Sequence, residues 1–329
     1  MSAVQMRAAV YRRHGPAPEV LRIEDVPRPD PLPGEVRVRI RVSGVNPTDW
    51  KARSGWSGPM TVPFVIPNQD GAGVIDAVGE GVDHSRIGQR VWVYHAAYKR
   101  SQGTAAEYSC VPAERAVDLP ESVSFDFGAS VGIPAMTAHR TLFTGGDPGG
   151  ELILVAGGAG QVGHFAIQLA KRAGAQVLAT VSSPEKAALA RTAGADEVFY
   201  YRQPGAADRI RERAPDGVDR IIELAPSANA QLDAAVLRPN GTIVIYAADQ
   251  KELRLGTQAL MAKNATLRFI LIYSIPEPDK AAAARAVQDA LAAGVLTPLP
   301  VTRFALDQIA AAHDAVERGL LGKALVDVP

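Results

Sequence analysis

The sequence is poor in the features that mark secreted, metal-structured, membrane and nucleic-acid-binding proteins. Only one of its 329 residues is cysteine, Cys110. One cysteine closes no internal disulfide, so nothing points to an oxidising compartment, and no structural zinc site with two or more thiolates can form. Neither sign of charge is in excess: 35 Lys and Arg balance 35 Asp and Glu, which leaves no field to gather nucleic acid or an anionic membrane. No segment approaches the roughly 20 apolar residues of a membrane span. Between Met1 and Arg13 the basic residues Arg7, Arg12 and Arg13 interrupt the apolar runs, so a signal peptide is not expected. The histidines, His14, His84, His95, His139, His164 and His313, show no metal-ligand spacing. The expectation is a cytoplasmic protein with no metal, no membrane attachment and no nucleic-acid partner.

What is present is enough for a large core. At roughly 100–200 residues per domain the length implies about two domains, and a chain of this size buries roughly 75% of its unfolded surface. Composition shifts near residue 125. Before it, proline and glycine are frequent and short β-like runs dominate. Val36–Val42 alternates apolar and basic residues, the period of a half-buried strand, and Gly73–Val78, Arg90–Tyr94 and Ala106–Val111 lie as further short strands between turn signals.

From about Phe125 the pattern becomes βαβ. Strands are expected at Glu151–Val155, Gln176–Val181, Glu197–Tyr200, Val218–Glu223, Gly241–Tyr246 and Thr266–Ile272. Helices are expected at Gln161–Arg172, Pro184–Thr192 and Ala228–Leu237, then at Asp279–Ala293 and Leu306–Glu317, with a last strand near Ala324–Val328. Alternating strands and helices predict an α/β fold with a doubly wound parallel sheet.

Gly158-Ala159-Gly160-Gln161-Val162-Gly163 is a GxGxxG placed after a buried strand and at the start of a helix. That is the setting a dinucleotide site requires: Gly158 for the tight turn, Gly160 for close approach of the pyrophosphate, Gly163 for helix–strand packing. N–H groups near Gln161 and Val162 would face the phosphates at the positive end of the helix. An NAD site usually places an acid roughly 20 residues past the glycines. Here the strand tip carries Ser182 and Ser183, with Lys186 in the next helix. Hydroxyl donors and a cation suit the 2′-phosphate of NADPH.

Together with the N-terminal half, these residues resemble the zinc-free quinone oxidoreductases of the medium-chain dehydrogenase/reductase superfamily, the zeta-crystallin group. Gly44-Val45-Asn46-Pro47 with Arg53-Ser54-Gly55 is similar to the family's first active-site loop, and Asp70-Gly71-Ala72-Gly73-Val74-Ile75 with Ala77-Val78-Gly79 to its substrate-domain signature. Gly128–Pro134 with Thr137-Ala138 is similar to the helix that enters the cofactor domain; Met261-Ala262-Lys263 and Gly322-Lys323 match late family motifs. The resemblance implies a GroES-like β domain from residues 1–125, completed by 273–329, and a Rossmann domain over 126–272. It also implies a homodimer joined edge to edge by the last Rossmann strands, since an open sheet edge must be covered or paired.

Metal-dependent relatives ligate zinc with a Cys in the first loop and a His in the second. This chain has Asn46 and Asn68-Gln69 at those places. Without a Lewis acid for alcohols or simple ketones, the implied reaction is hydride transfer from NADPH to a quinone or another α,β-unsaturated carbonyl. The alternatives are a dedicated enal or enoyl reductase and a non-catalytic, crystallin-like NADPH- or RNA-binding protein. By family position Asn46 either lies near the nicotinamide ribose and donates to the acceptor oxygen or is a turn residue, Asp49 either orients neighbouring donors or makes a structural turn hydrogen bond, and Thr137 either faces the nicotinamide or packs its helix. The backbone around Tyr246 and Ile272 holds the carboxamide, and Tyr201 frames the 2′-phosphate. Arg318 and Lys323 either reach the cofactor phosphates or lie as surface charge. Where the family often has a pocket tyrosine, this chain has Trp50-Lys51, with Trp56 following. The tryptophans either stack on a flat acceptor or pack within their domain; Lys51 either meets an anionic acceptor, donates a proton or sits in solvent.

Overall fold

A computed structural model describes residues 4–329. In chain order, the first stretch holds β1 (Gln5–Val10), α1 (Ala17–Val20), β2 (Arg22–Pro27), β3 (Glu35–Val45), α2 (Pro47–Ser54), β4 (Asp70–Val78), β5 (Arg90–Val93), β6 (Tyr108–Pro112), β7 (Ala116–Asp118) and α3 (Phe125–Phe143). The middle alternates: β8 (Leu152–Ala156), α4 (Gln161–Arg172), β9 (Gln176–Val181), α5 (Pro184–Thr192), β10 (Glu197–Tyr200), α6 (Ala206–Arg213), β11 (Val218–Glu223), α7 (Pro226–Val236), β12 (Leu237–Ile245), α8 (Thr257–Ala262) and β13 (Thr266–Phe269). The last stretch holds α9 (Glu277–Ala292), β14 (Val301–Ala305), α10 (Ile309–Glu317) and β15 (Lys323–Asp327). No helix among the described residues is long and apolar enough to cross a membrane.

The chain divides into two compact units. One runs to Ile133 and takes in Val287–Ala293 and Pro300–Pro329; the other is Pro134–Ala286 with Gly294–Leu299. The boundary therefore lies inside α3, at a proline, rather than at the composition shift near 125, and residues 273–286 belong to the second unit. In the region expected to be an active-site loop, 46–54, the chain forms α2: Pro47 opens the helix at its first turn and the Asp49 carboxylate accepts from the Asn46 N–H at 2.7 Å.

The first unit is built on a sheet ordered β14-β15-β3-β4-β5-β7, with β6 pairing to β3. Val36, Val38 and Ile40 on β3 are fully buried, as the alternation requires, but Arg37 between them is buried too. Its guanidinium makes a two-pronged pair with Asp76, at 2.9 and 3.1 Å, so the charge enters with a partner. Register does the rest. Asp70 opens β4 opposite Gly44, and Ala324 on β15 lies opposite Val45. The end of β3, the start of β4 and the start of β15 thus meet at one end of the sheet. Gly44 is needed there, because a Cβ would stand 2.0 Å from the Ala129 carbonyl of α3.

The second unit is a six-stranded parallel sheet ordered β10-β9-β8-β11-β12-β13, the doubly wound order of dinucleotide-binding folds. Ile153, Leu154, Val155, Val177 and Leu178 are fully buried, as expected of strands covered on both faces. β13 ends at Phe269, so Ile272 lies in a short 3₁₀ turn rather than in the strand. At the end of this edge strand Phe269 is 66% exposed and Leu271, just after it, 55%; Met261 on α8 is 71% exposed.

α7 is tied to the end of β11 by an acid pair. Glu223 is fully buried and Asp233 nearly so. Glu223 accepts from Asn229 Nδ2 at 3.0 Å and from the Ala225 N–H. Burial, and then the neighbouring Glu223 charge, push Asp233 up to about 9, so the pair shares one proton across neutral pH. The native state then binds a proton that the unfolded chain releases near pH 4, and stability must fall as pH rises between these two values. In urea unfolding, Asp233→Asn, which keeps the donor and removes the titration, is expected to flatten that fall by at least about 1 kcal/mol between pH 6 and 9. Equal slopes in both proteins would refute the shared proton.

Candidate active site

The meeting of three strand ends in the first unit concentrates buried polar groups. Asn46, Asp49, Asn68, Asp70 and Lys323 are each at most 3% exposed. Lys323 Nζ donates to Asn46 Oδ1 at 2.7 Å, and Asn46 Nδ2 donates to Asp70 Oδ2 at 2.6 Å. Asp70 also accepts the Ile133 N–H of α3 at 3.0 Å. A second chain supports it. His313 Nε2 lies 3.0 Å from Asn68 Oδ1, Asn68 Nδ2 donates to Ser43 Oγ at 2.9 Å, Ser43 meets Thr104 Oγ1 at 2.8 Å, and Thr104 donates to the Asp70 carbonyl at 2.5 Å. Burial, and then Arg53, push His313 down to about 3, so it is neutral and gives Nε2–H to Asn68.

Two carboxyls and one ammonium share this space. Burial raises both acids: Asp70 to about 6, restrained by Lys323 and by the Asn46 amide, and Asp49 to about 8, restrained by the Asn46 N–H and raised further by Asp70. Burial lowers the Lys323 ammonium while Asp70 and Asp49 hold it up. At neutral pH the arrangement that balances is Lys323 and Asp70 charged and Asp49 protonated. Beside Asp49 opens a cavity of about 120 Å³, lined also by Tyr11, His14, Met60, Asn68 and Gln69.

The nucleotide loop lies in the second unit. The positive φ, +65°, falls on Gly157, one residue before the motif. This corrects the role expected of Gly158, whose Cβ would instead meet the Ala179 Cβ of β9 at 2.8 Å: it is a packing glycine. A Cβ on Gly163 would stand 2.4 Å from the Gly157 carbonyl, whereas on Gly160 the nearest atom is that carbonyl at 3.3 Å. The loop is therefore closed beneath Gly163 and open above Gly160, as close approach of a pyrophosphate requires. His164 gives the first backbone bond of α4, to Gly160, so the N–H groups of Gln161, Val162 and Gly163 stand ahead of it at the helix's positive end. These features fit a dinucleotide.

Of the other expected cofactor residues, Ser183 caps α5 by accepting from the Lys186 N–H at 3.4 Å, with Ser182 just before it at the tip of β9. The β9–β10 pairing brings the Tyr201 N–H to the Val181 carbonyl at 3.2 Å, so Tyr201 and Arg202 stand beside that tip. Arg202, whose guanidinium lies 5.8 Å from the Tyr201 ring centroid, was not anticipated; its place after the tyrosine in a turn was the available signal. The Tyr246 N–H is held by the Glu223 carbonyl, and Ile272 and Thr137 are buried.

The two C-terminal residues differ sharply in burial. Lys323 is not surface charge: its ammonium is buried and donates to Asn46. Arg318 is 81% exposed and pairs loosely with Asp314. In α2 and the turn after it, the Lys51 ammonium lies 5.8 and 5.3 Å from the Trp50 and Trp56 ring centroids, a cation–π cluster that is absent from the lining of the cavity. Asp70, Asn68, Gln69 and Tyr11 were not expected as site residues.

Residues 32–121 match the alcohol dehydrogenase GroES-like domain and 162–289 the zinc-binding dehydrogenase domain. A curated human quinone oxidoreductase is 30% identical over 95% of this chain and 94% of its own length. A Pseudomonas aeruginosa quinone oxidoreductase is 40% identical over 56% of this chain and 55% of its own. A mycobacterial structure solved in complex with NADPH shares 27% identity over 98% of this chain and 99% of its own, with a TM-score of 0.86. GroES-like unit and parallel nucleotide sheet together define a medium-chain, pyridine-nucleotide-dependent oxidoreductase. Within that class the chain belongs to the quinone oxidoreductase family.

The buried cation makes a direct prediction. Lys323→Met leaves the buried Asp70 carboxyl without its counter-charge, to be ionised at a penalty or protonated, and is expected to cost about 3–5 kcal/mol in denaturant unfolding. Adding Asp70→Asn removes the orphaned charge and restores part of that loss. A double variant no more stable than Lys323→Met would rule this pairing out.

Proposed function

We propose that the chain is an NADPH-dependent reductase of quinones and other α,β-unsaturated carbonyls that works without a metal. The observation that carries this is the commitment of Asn46. It stands at the position of a metal ligand in zinc-dependent relatives, and both ends of its amide are spent, on Lys323 and on Asp70. The ammonium supplies the fixed positive charge of the site, and the second hydrogen on Asn46 Nδ2 remains to steady an acceptor oxygen as it gains charge. When bound, the nicotinamide supplies the hydride. Val162 and Gly163 would hold its pyrophosphate, while Ser182, Lys186, Tyr201 and Arg202 gather a 2′-phosphate. Tyr246 and Ile272 would hold the carboxamide through their backbone, and Thr137 would face the ring. The cavity beside Asp49 takes the acceptor; Lys51 stays on Trp50 and Trp56, away from the cavity lining.

The test is NADPH oxidation with naphthoquinone, small enals and a crotonyl thioester. Turnover of the quinone at least equal to that of the others supports the reading; a strong preference for the thioester would reassign the chain as an enoyl reductase, and failure to bind nucleotide would reject an enzyme of this type. Arg202→Ala is expected to raise KM for NADPH about tenfold, the equivalent of roughly 1.4 kcal/mol, with KM for NADH unmoved. Equal change for both nucleotides would remove the 2′-phosphate assignment.

The second copy of the chain is the partner this reading includes. β13 is an edge strand, and Phe269 at its end and Leu271 just after it are exposed apolar residues. A homodimer paired edge to edge would cover both. Sedimentation should give a dimer for the wild type and a monomer for Phe269→Asp; a wild-type monomer at micromolar concentration would exclude it.

A further inference from the structure

Asp49 has more chemistry than its capping role uses. One carboxyl oxygen, Oδ2, accepts the Asn46 N–H. The other, Oδ1, is buried and makes no hydrogen bond of normal geometry, though the nearby Gln69 N–H lowers its pKa a little. Gln69 Oε1 is a second buried acceptor without a partner, and both residues line the same cavity. With Asp49 protonated, its proton sits on Oδ1, so an unpartnered donor and the unpartnered Gln69 Oε1 acceptor face one polar cavity, and about 120 Å³ holds several waters to link them.

The groups that face Asp49 come from every element around it. Asp70 at the start of β4 opposes its ionisation and Lys323 of β15 favours it. The Tyr11 phenol, pushed up to about 12 by burial and then by Asp49 itself, lines the cavity as a donor. Arg53 of α2 is held by Glu317, His313 is neutral, and His14, Lys99 and Arg100 stand along the cavity wall. The N-terminal turn of α2 favours the anion, but burial outweighs it.

We propose that Asp49 is the proton store of the reaction: its carboxyl yields a proton to the reduced acceptor and is reloaded from solvent through the cavity lined by Tyr11, His14 and Gln69. The proposal rests on the reductase reading and deepens it. Reducing a quinone to the hydroquinone adds one hydride and one proton. The Asp49 O–H bond breaks, its electron pair stays on the carboxylate, and the proton passes through cavity water to form the O–H bond of the product. A solvent proton then restores the carboxyl, so no further reductant is needed. Ionised Asp49 has no proton to yield, so quinone turnover falls as pH rises through about 8.

The experiment compares wild type with Asp49→Asn, which keeps the acceptor for the Asn46 N–H but cannot titrate. Two acceptors are used: naphthoquinone, and the N-methylacridinium cation, which takes a hydride and no proton. The expected result is a loss of roughly 10²-fold on the quinone, at least about tenfold beyond any loss on acridinium, together with disappearance of the alkaline fall and of the solvent deuterium effect. Infrared difference spectra across that pH range should show a protonated carboxyl band in the wild type that Asp49→Asn removes. If Asp49→Asn does not fold, Asp49→Glu, with a titrating carboxyl on a longer arm, should retain the alkaline fall with its midpoint moved. A wild type that reduces the quinone with a rate flat through pH 8, or a profile unchanged by these variants, overturns the proton store and leaves the reductase reading standing. A wild type that oxidises NADPH with neither acceptor overturns both.

Discussion

One ammonium holds the catalytic unit's polar centre together. Lys323 is buried to 1% exposure, and its neighbours are an amide and two carboxyls, none of which the core would tolerate alone. Burying so many polar groups is a cost that good geometry offsets but does not erase. What the arrangement secures is position. Asn46 is gripped at both ends of its amide, so its remaining N–H points one way without help from a ligand. Asp70 ties this cluster to α3 through the Ile133 N–H, and Asn68, Ser43, Thr104 and His313 form a wall that keeps Asp70 in place. Removing the ammonium would disturb each of these groups.

The zinc-dependent relatives and this chain solve a shared problem with different charges. A divalent ion polarises an oxygen strongly and draws its ligands into a shell. A lysine ammonium is a single charge, directed by hydrogen bonds, and here it is spent on an asparagine amide. On the proposed reading, that weaker field suits acceptors whose conjugation already lowers the barrier to hydride addition. The neutral overall charge, the lone buried Cys110 and the absence of ligand spacing among the histidines are consistent with a site made from backbone register and amides.

Much of this was legible beforehand, for physical reasons that differ by region. α4, β9, α5, β10 and β11 fall on the expected boundaries, because parallel strands buried on both faces and amphipathic helices leave strong local periodicity. The nucleotide loop was legible for the same reason, except for the residue that turns it: two glycines stand together, and only the backbone tells Gly157 from Gly158. The segment that forms α2 reads as a loop, although Pro47 and Asp49 are helix-start residues, since eight residues carry little periodicity. β1, β2, β14, α6 and α8 are too short, or too mixed in pattern, to stand out. The role of Lys323 was hidden. Its burial follows from β15 pairing with β3, a register between segments far apart that no local pattern encodes. Asp70 was seen only within a glycine-rich signature for that reason.

The same register has a temporal side. Lys323 is 277 residues downstream of the asparagine it contacts, on a strand that joins β14 to β3 in the sheet. During synthesis, Asn46, Asp49 and Asp70 leave the ribosome long before their cation exists. Until β15 arrives, the first unit carries two crowded acids with no counter-charge, and the favourable state for both is protonated and loosely packed. The catalytic unit cannot mature in the order it is translated; the parallel nucleotide sheet, whose strands are contiguous in the chain, has no such wait. The buried cluster of Asn46, Asp49 and Asp70 is therefore complete only once β15 has been made, whereas every strand of the nucleotide sheet precedes β15 in the chain.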